Sequence, residues 1–263
     1  MICLVDMEKR PSESSNPPPA ASPTQHQLVP KAYLDDVRRR LEEIAGHRCL
    51  LKRYDDVTPD WLASSDIQAL ILSGNVTAWD AYDPVDLQPL MEIVRGASLP
   101  ILGLCGGLQF IALAHGVDVG PMRELRPSEE DVSDGFGTGY LKEWGFTPVQ
   151  VLRSDPLFAG LESPIFLEAH YWEVREAPFG FELLASTDVC RVQALRQIGT
   201  LVCGTQFHPE AYVAKPARRR NWLVNLVYPD GYTQNQLDGR RFLINFFREA
   251  DILPKKGNVT AHR

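Results

Sequence analysis

The chain lacks the features that mark membrane, secreted and nucleic-acid-binding proteins. None of its apolar runs approaches the roughly 20 residues of a membrane-spanning helix. Residues 1–6 have no basic leader and are too short an apolar run for a signal peptide, so we expect them to form the first strand. The formal net charge is −7 and no basic surface stands out, which argues against nucleic-acid binding. Five cysteines in 263 residues show no disulfide pattern, which favours a reducing compartment, the cytoplasm.

The sequence also has no internal repeat and no sign of a second domain. With 44% hydrophobic residues, 263 residues can bury one sizeable core, so we expect a single domain over 1–263. Residues 11–30 are rich in Pro, Ser and Ala. The piece before them is too short to fold alone, so this segment is predicted to be a mobile loop within the domain.

Apolar strand segments alternate with segments of helical periodicity along the first half of the chain. Leu34, Val37, Leu41 and Ile44 fall at helical spacing behind Pro30 and predict an amphipathic helix. The alternation favours an α/β fold with three layers, in which a mostly parallel central sheet carries helices on both faces. Shorter apolar runs beyond residue 115 predict an antiparallel extension of that sheet. The predicted strands are 1–6, 49–54, 69–73, 99–104, 149–152, 165–167, 181–185 and 192–195, with helices around 34–44, 87–94 and 110–115.

The most informative motif is Gly-Leu-Cys-Gly-Gly-Leu-Gln at 103–109, between a predicted strand and a predicted helix. A strand, a Gly-x-Cys-x-Gly turn and a helix are the sequence form of a nucleophile elbow. The glycines permit a sharp turn that exposes the thiol of Cys105 at the end of the strand. The N-terminus of the following helix favours the thiolate. Cys105 is therefore predicted to be a reactive nucleophile rather than a core cysteine.

A base for this nucleophile is found about a hundred residues later, in a His-Pro-Glu tripeptide. His208 follows the apolar run 201–205, where a strand is expected to end. An imidazole there can accept the thiol proton and return it to a leaving amine. Glu210 can orient the ring and stabilise the imidazolium, the third role of a catalytic triad.

Together, the elbow and the His-Pro-Glu tripeptide resemble the class I glutamine amidotransferase family, and the resemblance extends over most of the chain. Segments 69–74, 179–186 and 239–247 are similar to the family's oxyanion strand, a Gly-Phe-containing strand and its closing helix. The resemblance implies a flavodoxin-like fold. It also implies cysteine-dependent hydrolysis of the glutamine side-chain amide through a thioester, with Cys105, His208 and Glu210 as the catalytic residues.

The resemblance further implies an oxyanion hole and a glutamine pocket. One oxyanion donor is expected from the backbone of Gly106 and the other from the loop at Gly74 and Asn75. That loop departs from the family's Gly-Gly-Pro-like segment, but Asn75 tolerates positive φ, so the loop can still form. Gln109 is expected either to position the substrate or to tie down the elbow, and His170 either to line the pocket or to be structural. No metal ion or cofactor is expected.

The acceptor of the ammonia is left open. One hypothesis is a glutamine amidase that passes ammonia to a separate synthase. A second is a hydrolase of γ-glutamyl peptides or amines, and a third is a non-catalytic regulatory protein on the same fold. Residues 211–238, which include Arg218-Arg219-Arg220, are either a basic turn with a packed helix or a docking surface. The sequence does not define the oligomeric state.

Overall fold

The structure is a computed structural model that describes residues 1–10, 28–132, 136–211 and 232–253. Most of the predicted mobile loop, residues 11–27, lies outside the described residues, as do 212–231 of the stretch before the last helix. At the end of that loop, Val29 is buried.

The described elements alternate between strands and helices as far as residue 114 and are mainly strands after it. The first half contains β1 (Ile2–Asp6), α1 (Lys31–Ala45), β2 (Cys49–Arg53), α2 (Pro59–Ala63), β3 (Ala69–Leu72), α3 (Pro84–Gly96), β4 (Ile101–Leu104) and α4 (Gly106–Ala114). The second half contains β5 (Val119–Pro121), β6 (Glu143–Pro148), β7 (Gln150–Val151), β8 (Ile165–His170), β9 (Trp172–Val174), β10 (Phe181–Ser186), β11 (Ala194–Gln197), β12 (Val202–Thr205) and α5 (Tyr232–Glu249).

The main sheet has eight strands in the order β2-β1-β3-β4-β12-β11-β10-β7. The strands from β2 to β12 are parallel, and β11, β10 and β7 continue the sheet in antiparallel pairing. The predicted mostly parallel sheet with an antiparallel extension is thus confirmed. One detail is wrong: the segment 165–167 begins β8, which pairs with β6 in a separate two-stranded sheet. Phe166 of β8 stacks on Phe207 with ring centroids 4.0 Å apart, so this strand packs over the main sheet instead of extending it.

Side chains of the parallel strands point alternately into two cores, one on each face of the sheet. In β1, Ile2 and Leu4 belong to the core covered by α1 and α5, while Cys3 and Val5 belong to the core covered by α3 and α4. This alternation follows from the two-residue period of a strand. Full burial of a Leu or Ile side chain stabilises the fold by about 1.5–3 kcal/mol. The two cores therefore fix the strands, and the ends of the strands position the site.

The helices begin and end at the local signals that the sequence provides. Before α3, Asp83 caps the backbone N–H of Val85, and Pro84 occupies the first turn, where no hydrogen bond is lost. Gly46 ends α1 with φ of 66°, a left-handed conformation that glycine adopts without strain. Among the described residues, no helix has the length and apolar character to span a bilayer.

Candidate active site

Cys105 and His208 come together because their strands are neighbours in the sheet. Strands β4 and β12 are parallel, with Leu104 opposite Thr205, so both end at the same edge. Cys105 follows β4 directly, and its N–H donates to the carbonyl of Thr205 at 2.6 Å. His208 lies three residues beyond β12, where its N–H donates to Leu167 of β8. The site is therefore built at the carboxyl ends of adjacent parallel strands, where α/β sheets bind ligands.

The turn at Cys105 is strained in the way a nucleophile elbow requires. Cys105 has φ of 51° and ψ of −104°, outside the regions that non-glycine residues favour. Such strain costs about 1–3 kcal/mol and persists only when the surroundings enforce it. As predicted, the turn is too tight for a Cβ at the glycines, which also permit close approach of neighbouring segments. A Cβ on Gly107 would lie 2.4 Å from the carbonyl oxygen of Leu72, and one on Gly106 would lie 1.7 Å from Oδ1 of Asn75.

Cys105 is less accessible than the motif predicts, since only 6% of the residue is exposed. It lies at the base of a cleft whose wall includes Trp79, Tyr171 and Trp172. Its sulfur accepts a hydrogen bond from Nε2 of Gln206 at 3.4 Å. The prediction of an exposed thiol is therefore wrong, because the loop after β3 and the strands beyond α4 enclose the elbow.

His208 and Glu210 form a buried hydrogen-bonded pair. Nδ1 of His208 lies 2.7 Å from Oε1 of Glu210, and both residues are at most 5% exposed. Burial lowers the pKa of His208, but the charges of Glu210 and Cys105 more than offset it and raise that pKa well above its ordinary value. Because Nδ1 is engaged by Glu210, Nε2 is the ring nitrogen that can exchange a proton with Cys105.

Tyr33 of α1 completes this arrangement from the other side of Glu210. Its hydroxyl donates to the same Oε1 at 3.1 Å. Burial and the neighbouring Glu210 raise the pKa of Tyr33 well above its ordinary value, so the hydroxyl stays protonated and remains a donor. Arg40, also on α1, donates to the backbone carbonyl of Glu210 at 2.6 Å. Helix α1 thus fixes both the side chain and the backbone of Glu210.

The loop after β3 lies directly against the elbow, as the oxyanion prediction requires. A Cβ on Gly74 would lie 3.5 Å from Cβ of Cys105 and 3.5 Å from Cε1 of His208. A Cβ on Gly106 would lie 3.0 Å from the backbone nitrogen of Asn75. The loop forms without the positive φ that Asn75 tolerates, since Asn75 is absent from the left-handed residues of the described chain. The amide of Asn75 instead donates to the carbonyl of Thr77 at 2.6 Å.

Gln109 lines the cleft, and its side-chain amide is fully engaged. Its oxygen accepts from Trp79, while its nitrogen donates to the carbonyl of Trp172 and to Gln206. A chain of hydrogen bonds therefore runs from Trp79 through Gln109 and Gln206 to Cys105. Of the two expected roles, these contacts support the one that ties down the elbow.

His170 also lines the cleft, but both of its ring nitrogens face protein atoms. Nδ1 lies 3.0 Å from the carbonyl of Trp172, and Nε2 lies 3.2 Å from Glu143 and 3.3 Å from Glu168. Burial lowers the pKa of His170, but the two carboxylates raise it to about 10. Burial raises the pKa of Glu168 to about 7. His170 is thus a buried cation at the wall of the cleft.

The same cluster contains the atoms best suited to hold a metal ion among the described residues. Ligand atoms of Glu143, His170 and Cys190 lie within 4.8 Å of one another. The ion pairs of His170 account for this approach without a metal ion. Cys190 is buried, which raises the pKa of its thiol and disfavours the thiolate that a metal ion requires.

The structure therefore brings together every residue that the sequence predicted for the site, and adds three more. Gln206 lies two residues before His208 and could have been found from that position. Tyr33 and Glu8 could not be found from a local pattern. Tyr33 binds Glu210, and Glu8 binds the backbone N–H of Val76 in the loop after β3, each from an element distant in sequence.

The site is that of a cysteine-dependent amidase on an α/β sheet, and comparison with known proteins supports this class of enzyme. The family model "Glutamine amidotransferase class-I" matches residues 31–221. A glutamine-hydrolyzing GMP synthase subunit from Methanocaldococcus jannaschii is 34% identical over 149 residues, 56% of this chain and 67% of that protein. A glutamine-hydrolyzing GMP synthase from Caldicellulosiruptor saccharolyticus is 30% identical over 197 residues, 74% of this chain and 34% of that protein.

The fold agrees with a solved structure as well. A glutamine amido transferase from Methylobacillus flagellatus superimposes with a TM-score of 0.62 over 100% of this chain and 98% of that one, at 16% identity. Such low identity shows the fold alone. The family match, which spans most of the chain, shows that the protein belongs to the class I glutamine amidotransferases, a family of glutamine-hydrolysing enzymes with a cysteine nucleophile. The family and fold expected from the sequence are confirmed. The chain matches about a third of the length of the longer GMP synthases.

Proposed function

We propose that this chain hydrolyses the side-chain amide of glutamine at Cys105 and releases ammonia to a separate synthase. The observation that carries the proposal is the alignment of the strained Cys105, the buried His208 and Glu210 at 2.7 Å from the imidazole. This arrangement supplies a nucleophile, a base and a carboxylate that is hydrogen-bonded to the base.

The first half of the reaction forms a thioester. The thiolate of Cys105 attacks the carboxamide carbon, and the carbonyl π electrons move to oxygen to give a tetrahedral oxyanion. Backbone N–H groups of Gly106 and Asn75 stabilise that charge; loss of one such donor costs roughly 3–4 kcal/mol of barrier. The imidazolium of His208 gives its proton to the departing nitrogen. The C–N bond breaks, and ammonia leaves.

The second half regenerates the enzyme. His208, now neutral, removes a proton from water, which attacks the thioester carbon. The C–S bond breaks, glutamate leaves, and the thiolate–imidazolium pair is restored. Glu210 keeps the imidazole in one orientation through both halves and stabilises its positive charge. In this proposal Gln109 and His170 line the glutamine pocket, and Gln109 also ties down the elbow through Gln206.

Delivery to a separate synthase is supported by the relatives. Several of them are named as separate subunits of a glutamine-hydrolyzing GMP synthase and match this chain over most of their length, as the Methanothermobacter thermautotrophicus protein does over 77%. We therefore propose that glutamine is the substrate and that the partner is a synthase subunit. A reducing compartment, the cytoplasm, suits a catalytic thiol.

The test is an assay of glutamate release by the purified protein from glutamine and from γ-glutamyl amides. Acid-quenched samples analysed by intact-mass spectrometry detect a γ-glutamyl adduct on the protein. The Cys105→Ala variant is expected to lose both activity and adduct. Cys49→Ala, which removes another buried thiol at the far edge of the sheet, serves as the matched control and is expected to keep both.

The outcomes separate the candidate functions. Glutamine turnover, in isolation or once a synthase subunit has been added, supports the proposal. Rapid turnover of γ-glutamyl amides without turnover of glutamine would assign the chain as a γ-glutamyl hydrolase instead. If neither substrate is turned over and no adduct forms with the partner present, the chain is a regulatory protein on the same fold. Activity that survives Cys105→Ala would contradict every form of the mechanism.

A further inference from the structure

A fully buried carboxylate outside the triad contacts the loop that faces the elbow. Glu8 lies two residues beyond β1 and is 0% exposed. Oε2 accepts the N–H of Val76 at 2.9 Å, and Oε1 accepts the N–H of Thr77 at 3.2 Å together with the Thr77 hydroxyl. Oε2 also accepts the N–H of Val29 at 3.2 Å. Four donors therefore surround one carboxylate, which is the arrangement that stabilises a buried negative charge.

The segment that carries Glu8 is itself fixed to β3. The N–H of Met7 donates to Oγ of Ser73, and the hydroxyl of Tyr82 donates to the carbonyl of Met7 at 2.7 Å. The same tyrosine hydroxyl accepts from the amide of Asn75 at 3.2 Å. The backbone beside Glu8 is bound to Ser73, and the carboxylate of Glu8 is bound to the loop. Glu8 therefore sets the backbone position of residues 75–77 relative to the ends of β1 and β3.

That backbone position decides where the N–H of Asn75 points. Asn75 lies between Gly74, which lies against Cys105 and His208, and the two residues whose N–H groups bind Glu8. No proline occurs in residues 75–77, so no ring fixes the backbone of this loop. The carboxylate of Glu8 provides the rigidity instead.

The geometry points to Glu8 as a positioning residue for the oxyanion hole, which holds the loop of residues 75–77 in the conformation that directs the Asn75 N–H at the carbonyl oxygen of the bound amide. Glu8 touches neither substrate nor Cys105 and acts only through the loop. The inference rests on the proposed function, because it requires a tetrahedral oxyanion formed by Cys105.

The test compares two reactions of the same thiol. Amide hydrolysis forms an oxyanion, whereas alkylation by iodoacetamide displaces iodide from a methylene carbon and forms none. Glu8→Gln keeps the size of the side chain but brings an NH₂ group toward backbone donors. It is expected to lower kcat for glutamine about 100-fold, the order seen when one oxyanion donor is lost. KM and the rate of alkylation of Cys105 are expected to stay within about threefold of wild type.

Two further variants keep the result interpretable. Glu8→Asp retains the charge and is expected to recover kcat to within about tenfold of wild type; it also serves if Glu8→Gln does not fold. Asp155→Asn removes another buried carboxylate, one that pairs with Arg196 away from the cleft, and is expected to leave kcat unchanged. Hydrolysis is measured with the synthase subunit present if wild-type activity requires it.

The outcomes distinguish this inference from the proposed function. An active wild-type enzyme with an unchanged kcat in Glu8→Gln would overturn the role of Glu8 alone. Equal loss of hydrolysis and alkylation would also overturn it, since that pattern indicates general collapse of the site. A wild-type protein that forms no thioester even with its partner would instead refute the proposed function.

Discussion

The hydroxyl of Tyr33 and the imidazole of His208 bind the same oxygen of Glu210, at 3.1 and 2.7 Å. One donor comes from helix α1 and the other from His208, just beyond the end of β12. The second oxygen of Glu210 is buried without a hydrogen-bond partner among the described residues. The orientation of the carboxylate therefore depends on these two donors.

Tyr33→Phe is expected to lower kcat about tenfold with little change in KM, because a hydrogen bond to a buried charged group contributes about 1.5–3 kcal/mol. The loss leaves the carboxylate of Glu210 held by His208 alone. Steady-state glutamine hydrolysis measures the effect. Tyr54→Phe, a change at another buried tyrosine in the opposite core, is the control and is expected to keep wild-type kcat. Equal kcat in both variants would show that the Tyr33 contact does not affect catalysis.

Glu210→Gln is expected to lower kcat by a factor of about 10² to 10⁴, since the carboxylate orients and stabilises the imidazolium. The pKa of His208 should fall in this variant, because burial lowers it and the charge that opposed burial has been removed. Titration of the His208 ring protons by NMR measures the shift. An unchanged pKa of His208 would contradict the assignment of Glu210 as its charge partner.

Gly106→Ala is expected to abolish activity while the protein remains folded. The new Cβ would lie 1.7 Å from Oδ1 of Asn75 and 3.0 Å from its backbone nitrogen, so the Asn75 side chain must rotate and its backbone N–H must shift. Gly96→Ala provides the comparison, because a Cβ at the end of α3 meets nothing within 4 Å and alanine favours a helix by up to about 1 kcal/mol. Thermal unfolding and kcat are measured for both variants. Wild-type activity in Gly106→Ala would place the oxyanion loop elsewhere.

Stability is expected to fall as the pH rises through the titration range of the His170 cluster. Both groups have raised pKa values, Glu168 from 4.5 to about 7 and His170 from 6.5 to about 10. A raised pKa adds stability below the unfolded value, and this contribution is lost as the pH approaches the folded value. The cluster should therefore destabilise the fold progressively between about pH 4.5 and 10.

The Glu168→Gln variant tests whether Glu168 contributes to this pH dependence of stability, because an amide does not titrate. The variant is expected to show a smaller loss of stability than wild type between about pH 5 and pH 7, measured as the midpoint of urea unfolding. Glu182→Gln, at an exposed surface ion pair, should follow the wild-type curve. Identical pH dependence in wild type and Glu168→Gln would exclude Glu168 as a contributor.

The strands of the parallel sheet and the helices beside them could be predicted because their signals are local. Strand β2 was expected at 49–54 and lies at Cys49–Arg53, and the helix expected around residues 34–44 spans Lys31–Ala45. The cysteine elbow and the His-Pro-Glu tripeptide were also visible, since each is compact in sequence.

The rest of the site depends on contacts between distant segments. Tyr33 and Glu210 are separated by 177 positions, and no periodicity connects them. Glu8 lies beside the Pro/Ser-rich segment, and no sequence motif marks it. Its contact with Val76 arises only because β1 and β3 are neighbours in the folded sheet. The burial of Cys105 could not be seen for the same reason, because the residues that cover it come from several elements.

The register between β4 and β12 fixes the relative position of the two halves of the site. Leu104 stands opposite Thr205. The distance between Cys105 and His208 is therefore set by the backbone hydrogen bonds of the sheet rather than by a flexible loop. Because successive strand residues face opposite sides of a sheet, one residue inserted into β12 would move the later residues of that strand to the other face and shift the position of His208. Such an insertion is expected to abolish activity, although every proposed catalytic residue would still be present.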